Sequence, residues 1–273
     1  MTPSASFPAS QPTRDLGDGV QMPLLGLGVW QVPSGPATEQ AVAWALEAGY
    51  RHIDTAAAYR NERSVGIAVR DSGLSRDEVF VTTKWMPIRP NPARELARSL
   101  ERLGLDFVDL YLVHWPMPFA ERRGWHGFEE LRERGLARAI GVSNFGVDRL
   151  TGLVAGARRP PAVNQVQFNP LHFRQRLLEY CTGQGIAFEA YSPLDRGRAV
   201  AHPVIVAIAR RMDRDPAQVA LRWAIQHGAI VIPKSTHRER IRANAAIFDF
   251  ELGPADMRAI DALDTTGGTG TAR

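Results

Sequence analysis

A closed (β/α)8 TIM barrel, preceded by a short β-hairpin and followed by one extra helix, is the α/β fold that this sequence predicts. Three observations carry the expectation. Short β-branched runs alternate with helical stretches eight times, with no compositional break long enough for a linker. The length of 273 residues suits a single barrel domain spanning 1–273. The fingerprint G-x-G-x-x-G of a doubly wound sheet is missing: Gly26-Leu27-Gly28 lacks the third glycine, and Gly267-Gly268-Thr269-Gly270 stands in a tail with no helix after it.

The elements follow in order. Asp18-Gly19 is a turn signal between two short segments and predicts a hairpin over 16–23. The eight units then read as strand 24–28 with helix 38–48, 52–55 with 61–72, 79–83 with 92–103, and 107–113 with 127–134. They continue as 137–142 with 147–155, 162–166 with 173–184, 186–191 with 204–226 (broken at Pro216), and 230–233 with 238–246. A last helix covers 254–263, leaving 1–14 and 265–273 as expected loose ends.

Composition excludes several function classes. The net charge is +4, but both signs are scattered rather than gathered into a stripe, so nucleic-acid binding is not expected. No apolar run approaches the roughly 18 residues of a membrane span, and the N-terminus has neither a basic region nor an apolar core of a signal peptide. The chain is expected to be cytoplasmic, and the lone Cys181 to be a passive helix residue. A metal-dependent barrel hydrolase would show two histidines at i and i+2 on an early strand or an H-E-x-x-H helix. His52-Ile53-Asp54 supplies neither, and no metal is expected.

In this fold, chemistry is built at the C-terminal ends of the strands. Strand two ends at Asp54, with Tyr59 in the loop beyond it; strand three ends at Lys84 and strand four at His114. Ser143 and Asn144, Gln165, Tyr191 and Ser192, and Lys234 and Ser235 close strands five to eight at the same mouth. A phenol is a weak acid, and a neighbouring ammonium should lower its pKa, a role that suits Lys84. Asp54 would keep that ammonium charged, and His114 could donate to a carbonyl oxygen. Of the 33 basic residues only Lys84 and Lys234 are lysine, which points to two places that need a compact ammonium rather than a guanidinium. Trp30, Trp85 and Trp115, at or just past three strand ends, are candidate walls for an organic substrate.

The chain resembles the aldo-keto reductases over residues 16–264. The motifs are the run from Tyr50 to Tyr59 (YRHIDTAAAY), Thr83-Lys84-Trp85, His114-Trp115-Pro116, Gly141 to Phe145 (GVSNF) and Ile232 to Ser235 (IPKS). The resemblance implies a catalytic tetrad of Asp54, Tyr59, Lys84 and His114, with NADPH as hydride donor and Tyr59 as proton donor. It implies that Ser143, Asn144 and Gln165 hold the carboxamide, that Tyr191 stacks on the nicotinamide, and that Ser192 and Leu194 line the pyrophosphate path. Lys234, Ser235 and Arg240 would hold the 2′-phosphate, with Asn244 near the adenine; two cations and a hydroxyl at one strand end also read independently as an anion site.

The expected substrates are small aldehydes, α-dicarbonyls such as methylglyoxal, and keto-sugar acids, and the expected state is a monomer. Arg60, where a small residue is usual, puts a cation beside the mouth, and short segments after His114 and past Asp264 suggest an open pocket. The alternative reading is an NADPH-binding regulatory or scaffold barrel with little turnover.

Overall fold

A computed structural model describes residues 11–88, 91–117 and 120–266. An antiparallel hairpin of β1 (Thr13–Asp15) and β2 (Gln21–Pro23) comes first. Eight parallel strands follow: β3 (Leu27–Gly28), β4 (His52–Asp54), β5 (Phe80–Trp85), β6 (Val108–Val113), β7 (Ala137–Ser143), β8 (Val163–Gln167), β9 (Ala187–Tyr191) and β10 (Ile230–Ile232). Each pairs with the next in register, and the sheet closes through a parallel bridge between Leu25 and Val231. The closure leaves no room for side chains. A Cβ at Gly26 would lie 2.4 Å from His52 Nδ1, and one at Gly28 would lie 2.9 Å from the Ile232 carbonyl oxygen.

The helices are α1 (Pro36–Glu47), α2 (Glu62–Asp71), α3 (Pro92–Leu103), α4 (Ala120–Glu133), α5 (Val147–Gly156), α6 (Gln175–Gly183), α7 (Pro203–Met212), α8 (Pro216–Gln226), α9 (Arg238–Ala245) and α10 (Pro254–Asp261). Local chemistry sets their ends. Proline opens α1, α3, α7, α8 and α10, where its fixed φ suits the first turn. Asn91 caps α3 by accepting from the Arg94 amide at 2.9 Å. The expected break before Pro216 is a full stop: Asp213, in the left-handed region, ends α7, and a capping box of Asp215 and Gln218 starts α8. Helix α4 begins seven residues before the expected 127, because its first two turns carry almost no apolar stripe to read.

Loose ends were expected at 1–14 and 265–273; residues 1–10 and 267–273 lie outside the described ones. Thr13 and Arg14 are instead paired with Pro23 and Met22, and the Thr265 amide donates to the Leu171 carbonyl oxygen at 3.2 Å.

Two apolar layers result from strand alternation. The outer layer joins strands to helices and includes Trp85, Tyr111, Phe128, Phe168 and Trp223. The inner one fills the lower barrel with Phe80, Leu110, Leu112, Ala139, Val163, Ala187 and Ile230, and Met22 of the hairpin plugs it from below.

Candidate active site

The same alternation that fills the lower barrel delivers polar side chains to its upper end. Inward positions recur every second residue: Phe80, Thr82, Lys84 on β5; Leu110, Leu112, then His114 past β6; Ala139, Gly141, Ser143 on β7; Ala187, Glu189, Tyr191 on β9. Above the apolar floor the barrel interior therefore becomes polar, and a cleft of about 350 Å³ opens over it. Asp54, Tyr59, His114, Ser143, Asn144, Gln165, Tyr191, Ser192 and Lys234 line that cleft, together with Trp30, Met86 and Trp115.

At its base the Lys84 ammonium, wholly buried, donates to Asp54 Oδ1 at 2.6 Å, to the Thr55 carbonyl oxygen at 2.9 Å and to the Tyr59 hydroxyl at 3.3 Å. Tyr59 ends a single 3-10 turn, Ala57–Tyr59, and Arg60 behind it is exposed with φ of 61°. Asn61 anchors this loop from inside. Its amide donates to the Val29 and Val32 carbonyl oxygens at 2.9 and 3.1 Å, and its Oδ1 accepts from Thr55 Oγ1 at 2.7 Å. The His114 ring stands edge-on to Tyr59, with centroids 5.6 Å apart.

The protonation states follow from burial. Burial disfavours charge on both Asp54 and Lys84; the 2.6 Å contact between them opposes it, leaving Lys84 above its ordinary value, while burial still outweighs that contact at Asp54 and holds its carboxyl above the usual range. Burial and the nearby ammonium push His114 down to about 3, so the ring is neutral at physiological pH and one nitrogen is free to donate. Tyr59 corrects an expectation. Lys84 does pull its pKa down, but burial outweighs that pull and the Asp54 carboxylate opposes it, so the phenol lies above its ordinary value. Tyr59 thus holds its proton throughout the physiological range, and the ammonium acts on a phenolate only when one forms.

On the far side of the cleft, the Asn144 amide donates to the His114 carbonyl oxygen at 3.1 Å and to Ser143 Oγ at 3.0 Å, while its Oδ1 accepts from the Tyr191 hydroxyl at 2.8 Å. Asn144 takes φ of 66° to do this. Gln165 Nε2 donates into the barrel, to Asp54 Oδ2 at 2.8 Å and to Glu189 Oε2 at 2.9 Å. The chain after β9 turns sharply through Ser192, Asp195 and Arg196, all at positive φ, with Leu194 half-buried between them. Past β10, Lys234 and Arg240 are exposed and have no carboxylate partner among the described residues; Ser235 and Asn244 are buried beside them. Of these four, Lys234 lines the cleft and Ser235, Arg240 and Asn244 do not; an unpaired cation at an amide-lined cleft suits a phosphorylated dinucleotide such as NADPH.

The aromatic expectations divide. Trp30 and Trp115 stand at the mouth, 43% and 42% exposed, and the Arg196 guanidinium lies 5.3 Å from the Trp30 ring. Trp85 does not line the cleft. It follows inward-facing Lys84, so alternation turns it outward, where it packs on Phe128 with ring centroids 5.8 Å apart. Sequence reasoning missed Met86 and, inside the barrel, Glu189; the signal for Glu189 was an acidic residue at an inward position of a strand buried throughout. A larger hollow of about 660 Å³ lies at the opposite end, around the hairpin. Most of its charges are paired, Arg132 with Asp18 and Arg138 with Asp77 and Asp109, while Arg51 donates to the Leu46 and Tyr50 carbonyl oxygens and Glu78 accepts from Ser75.

Residues 24–265 match the family model described as the aldo/keto reductase family. The chain is 47% identical over 255 residues to the glyoxal reductase of Bacillus subtilis, covering 92% of each protein. Among solved structures, an aldo/keto reductase from Brucella melitensis superposes with a TM-score of 0.89 at 42% identity, covering 93% of this chain and all of that one. The Bombyx mori aldo-keto reductase in complex with NADP gives 0.87 at 36% identity, covering 97% and 94%. The fold and the polar barrel mouth define an oxidoreductase of the barrel type. The chain belongs to the aldo/keto reductase family, whose members reduce carbonyl groups with NADPH.

Proposed function

We propose that this enzyme reduces small aldehydes and α-dicarbonyl compounds, with Tyr59 giving the proton and His114 orienting the carbonyl oxygen. The observation that carries this reading is the triple anchoring of the Lys84 ammonium on Asp54, Thr55 and Tyr59. A phenol of raised pKa is a reluctant acid in the ground state. Once its proton moves to the substrate oxygen, the phenolate lies against a buried ammonium whose attraction is little screened, so the interaction strengthens as the reaction proceeds. His114, neutral, donates a hydrogen bond to the carbonyl oxygen without competing as an acid.

When bound, NADPH would supply the hydride. Ser143, Asn144 and Gln165 would hold its carboxamide, Tyr191 the nicotinamide ring, Ser192 and Leu194 the pyrophosphate, and Lys234, Ser235 and Arg240 the 2′-phosphate, with Asn244 near the adenine. Trp30, Trp115 and Met86 give the substrate an apolar wall. The B. subtilis relative is named for glyoxal, which supports α-dicarbonyls as the first class to try. Among the described residues no helix is long and apolar enough to cross a membrane. The same reading places the enzyme in the cytoplasm as a monomer. Loss of NADPH absorbance with glyoxal, methylglyoxal and aromatic aldehydes tests the activity. Turnover should exceed that with NADH by at least about tenfold. Cofactor binding with no turnover on any of these compounds would move the protein to a sensing role.

A further inference from the structure

Among the described residues, Glu189 is the one acidic side chain inside the barrel that the reaction just described does not use. It is wholly buried, and burial together with the Asp54 carboxylate pushes its pKa up to about 8. A buried carboxyl that only filled space could be replaced by hydrocarbon of similar volume at little cost, so its hydrogen bonds are informative. Among the described residues it makes one, accepting at Oε2 from Gln165 Nε2 at 2.9 Å across the paired strands β8 and β9. Its other oxygen has no hydrogen-bond partner and lies 3.7 Å from His52 Nε2, itself 3.1 Å from Thr82 Oγ1.

Gln165 Nε2 has two hydrogens, and the second goes to Asp54 Oδ2 at 2.8 Å. Both donors of the amide are therefore consumed inside the barrel from two sides, by β4 and by β9. One anchor leaves the amide free to swing about the other bond; two define its plane. A flipped amide would set its oxygen against the Asp54 carboxylate. The Gln165 Oε1 is left without a donor among the described residues, in a side chain that lines the cleft.

We propose that Glu189 is a positioning residue of the reductase: with Asp54 it takes both amide hydrogens of Gln165, fixing the Gln165 carbonyl oxygen toward the cleft as an acceptor for the carboxamide NH2 of the cofactor. The inference rests on the carboxamide placement proposed above. It does not depend on the ionisation of Glu189, since a protonated carboxyl still accepts at its carbonyl oxygen.

The test compares two dinucleotides that differ at one donor: NADP+ and its 3-acetylpyridine analogue, in which a methyl group replaces the carboxamide NH2. Binding to the whole enzyme is read by quenching of tryptophan fluorescence, which avoids the different reduction potentials of the two. The native enzyme should bind NADP+ about tenfold more tightly than the analogue, the scale of one or two well-made hydrogen bonds. Two variants, E189M and E189T, place no acceptor within reach of Gln165, and one is long where the other is short, so that at least one should fold; melting temperatures identify it. In the folded variant the preference should shrink to about threefold or less, by weaker NADP+ binding with the analogue unaffected. E189Q keeps an acceptor and should restore most of the preference. Full preference in E189M or E189T, or equal losses for both dinucleotides, overturns the proposal and leaves Glu189 structural. A native enzyme that does not separate the two dinucleotides sinks the carboxamide placement itself, a different failure read in a different protein.

Discussion

Asp54→Asn removes the counter-charge of Lys84 and keeps nearly the same shape. The Lys84 side chain is 0% exposed, so its ammonium would be left with the Thr55 carbonyl oxygen and the Tyr59 hydroxyl as neutral acceptors. Breaking a buried pair in this way costs about 3–5 kcal/mol, so Lys84, raised in the native protein, should give up its proton much more readily, in the neutral to mildly alkaline region. Below that region the ammonium persists and the variant should keep part of its activity. Above it the amine is neutral, nothing stabilises the nascent phenolate, and kcat should drop steadily. The native enzyme should be flat between about pH 5 and 7, because Tyr59 and Lys84 titrate well above that range, Glu189 at about 8 and His114 at about 3. The assay is a pH–rate profile with saturating NADPH and methylglyoxal. A D54N profile as flat as the native one, at similar kcat, would refute the assignment of Asp54 as the group that keeps Lys84 charged.

Tyr59→Phe should lower kcat by about 10² to 10⁴ with the Kd for NADPH changed less than about threefold, measured by turnover and by fluorescence titration. Arg240→Ala should weaken NADPH binding at least about tenfold and NADH binding hardly at all; equal losses would remove the phosphate site from β10 and α9. Acid should destabilise the fold through two buried histidines. Burial first, then the Lys84 charge, holds His52 and His114 at about 3, well below their ordinary value, so their contribution is complete above about pH 6.5 and lost as pH falls toward 3. At pH 4.5 this amounts to about 5 kcal/mol for the pair, which the raised pKa of Glu189 offsets by about 4 kcal/mol over the same span, so urea denaturation at pH 7.5 and 4.5 should show the histidine loss in E189M and only a small net loss in the native protein. Glu189 acts in the opposite sense: its raised pKa makes the native state keep a proton that the unfolded chain has shed, so E189M should gain more stability at pH 8 than at pH 5.

Most of the barrel was legible because a strand buried on both faces and a helix with one apolar stripe leave different periods in the sequence. All eight parallel strands lie where those periods place them. The start of α4 was not, since the stretch 120–124, AERRG, is mostly charged and carries no apolar period that distinguishes it from a loop. Asp54, Lys84 and His114 were legible as cleft residues for a geometric reason, since each ends an inward series, whereas Tyr59 reaches the same cleft from the turn beyond β4. Trp85 shows the limit of that reasoning. Proximity to a strand end in sequence says nothing about which face a residue takes, and one step past Lys84 turned the indole away from the cleft. The pKa of Tyr59 was misjudged because the ammonium beside it could be named from the sequence, whereas the depth of burial that outweighs it could not.

The hairpin at the floor of the barrel bears on reactivity at the other end. Withdrawal from water is the largest single influence on His52, Asp54, Lys84 and Glu189 alike. Part of that dryness is maintained by Met22 and the ring of hydrocarbon it stoppers. The hairpin is in effect electrical insulation. Were it to fray, water rising through the floor would raise the local dielectric constant, weaken the hold of Lys84 on a nascent phenolate and blunt the acid, with every residue of the mouth still in place. Substitutions at Met22 therefore belong among those that alter turnover, although they lie at the end of the molecule that no substrate visits.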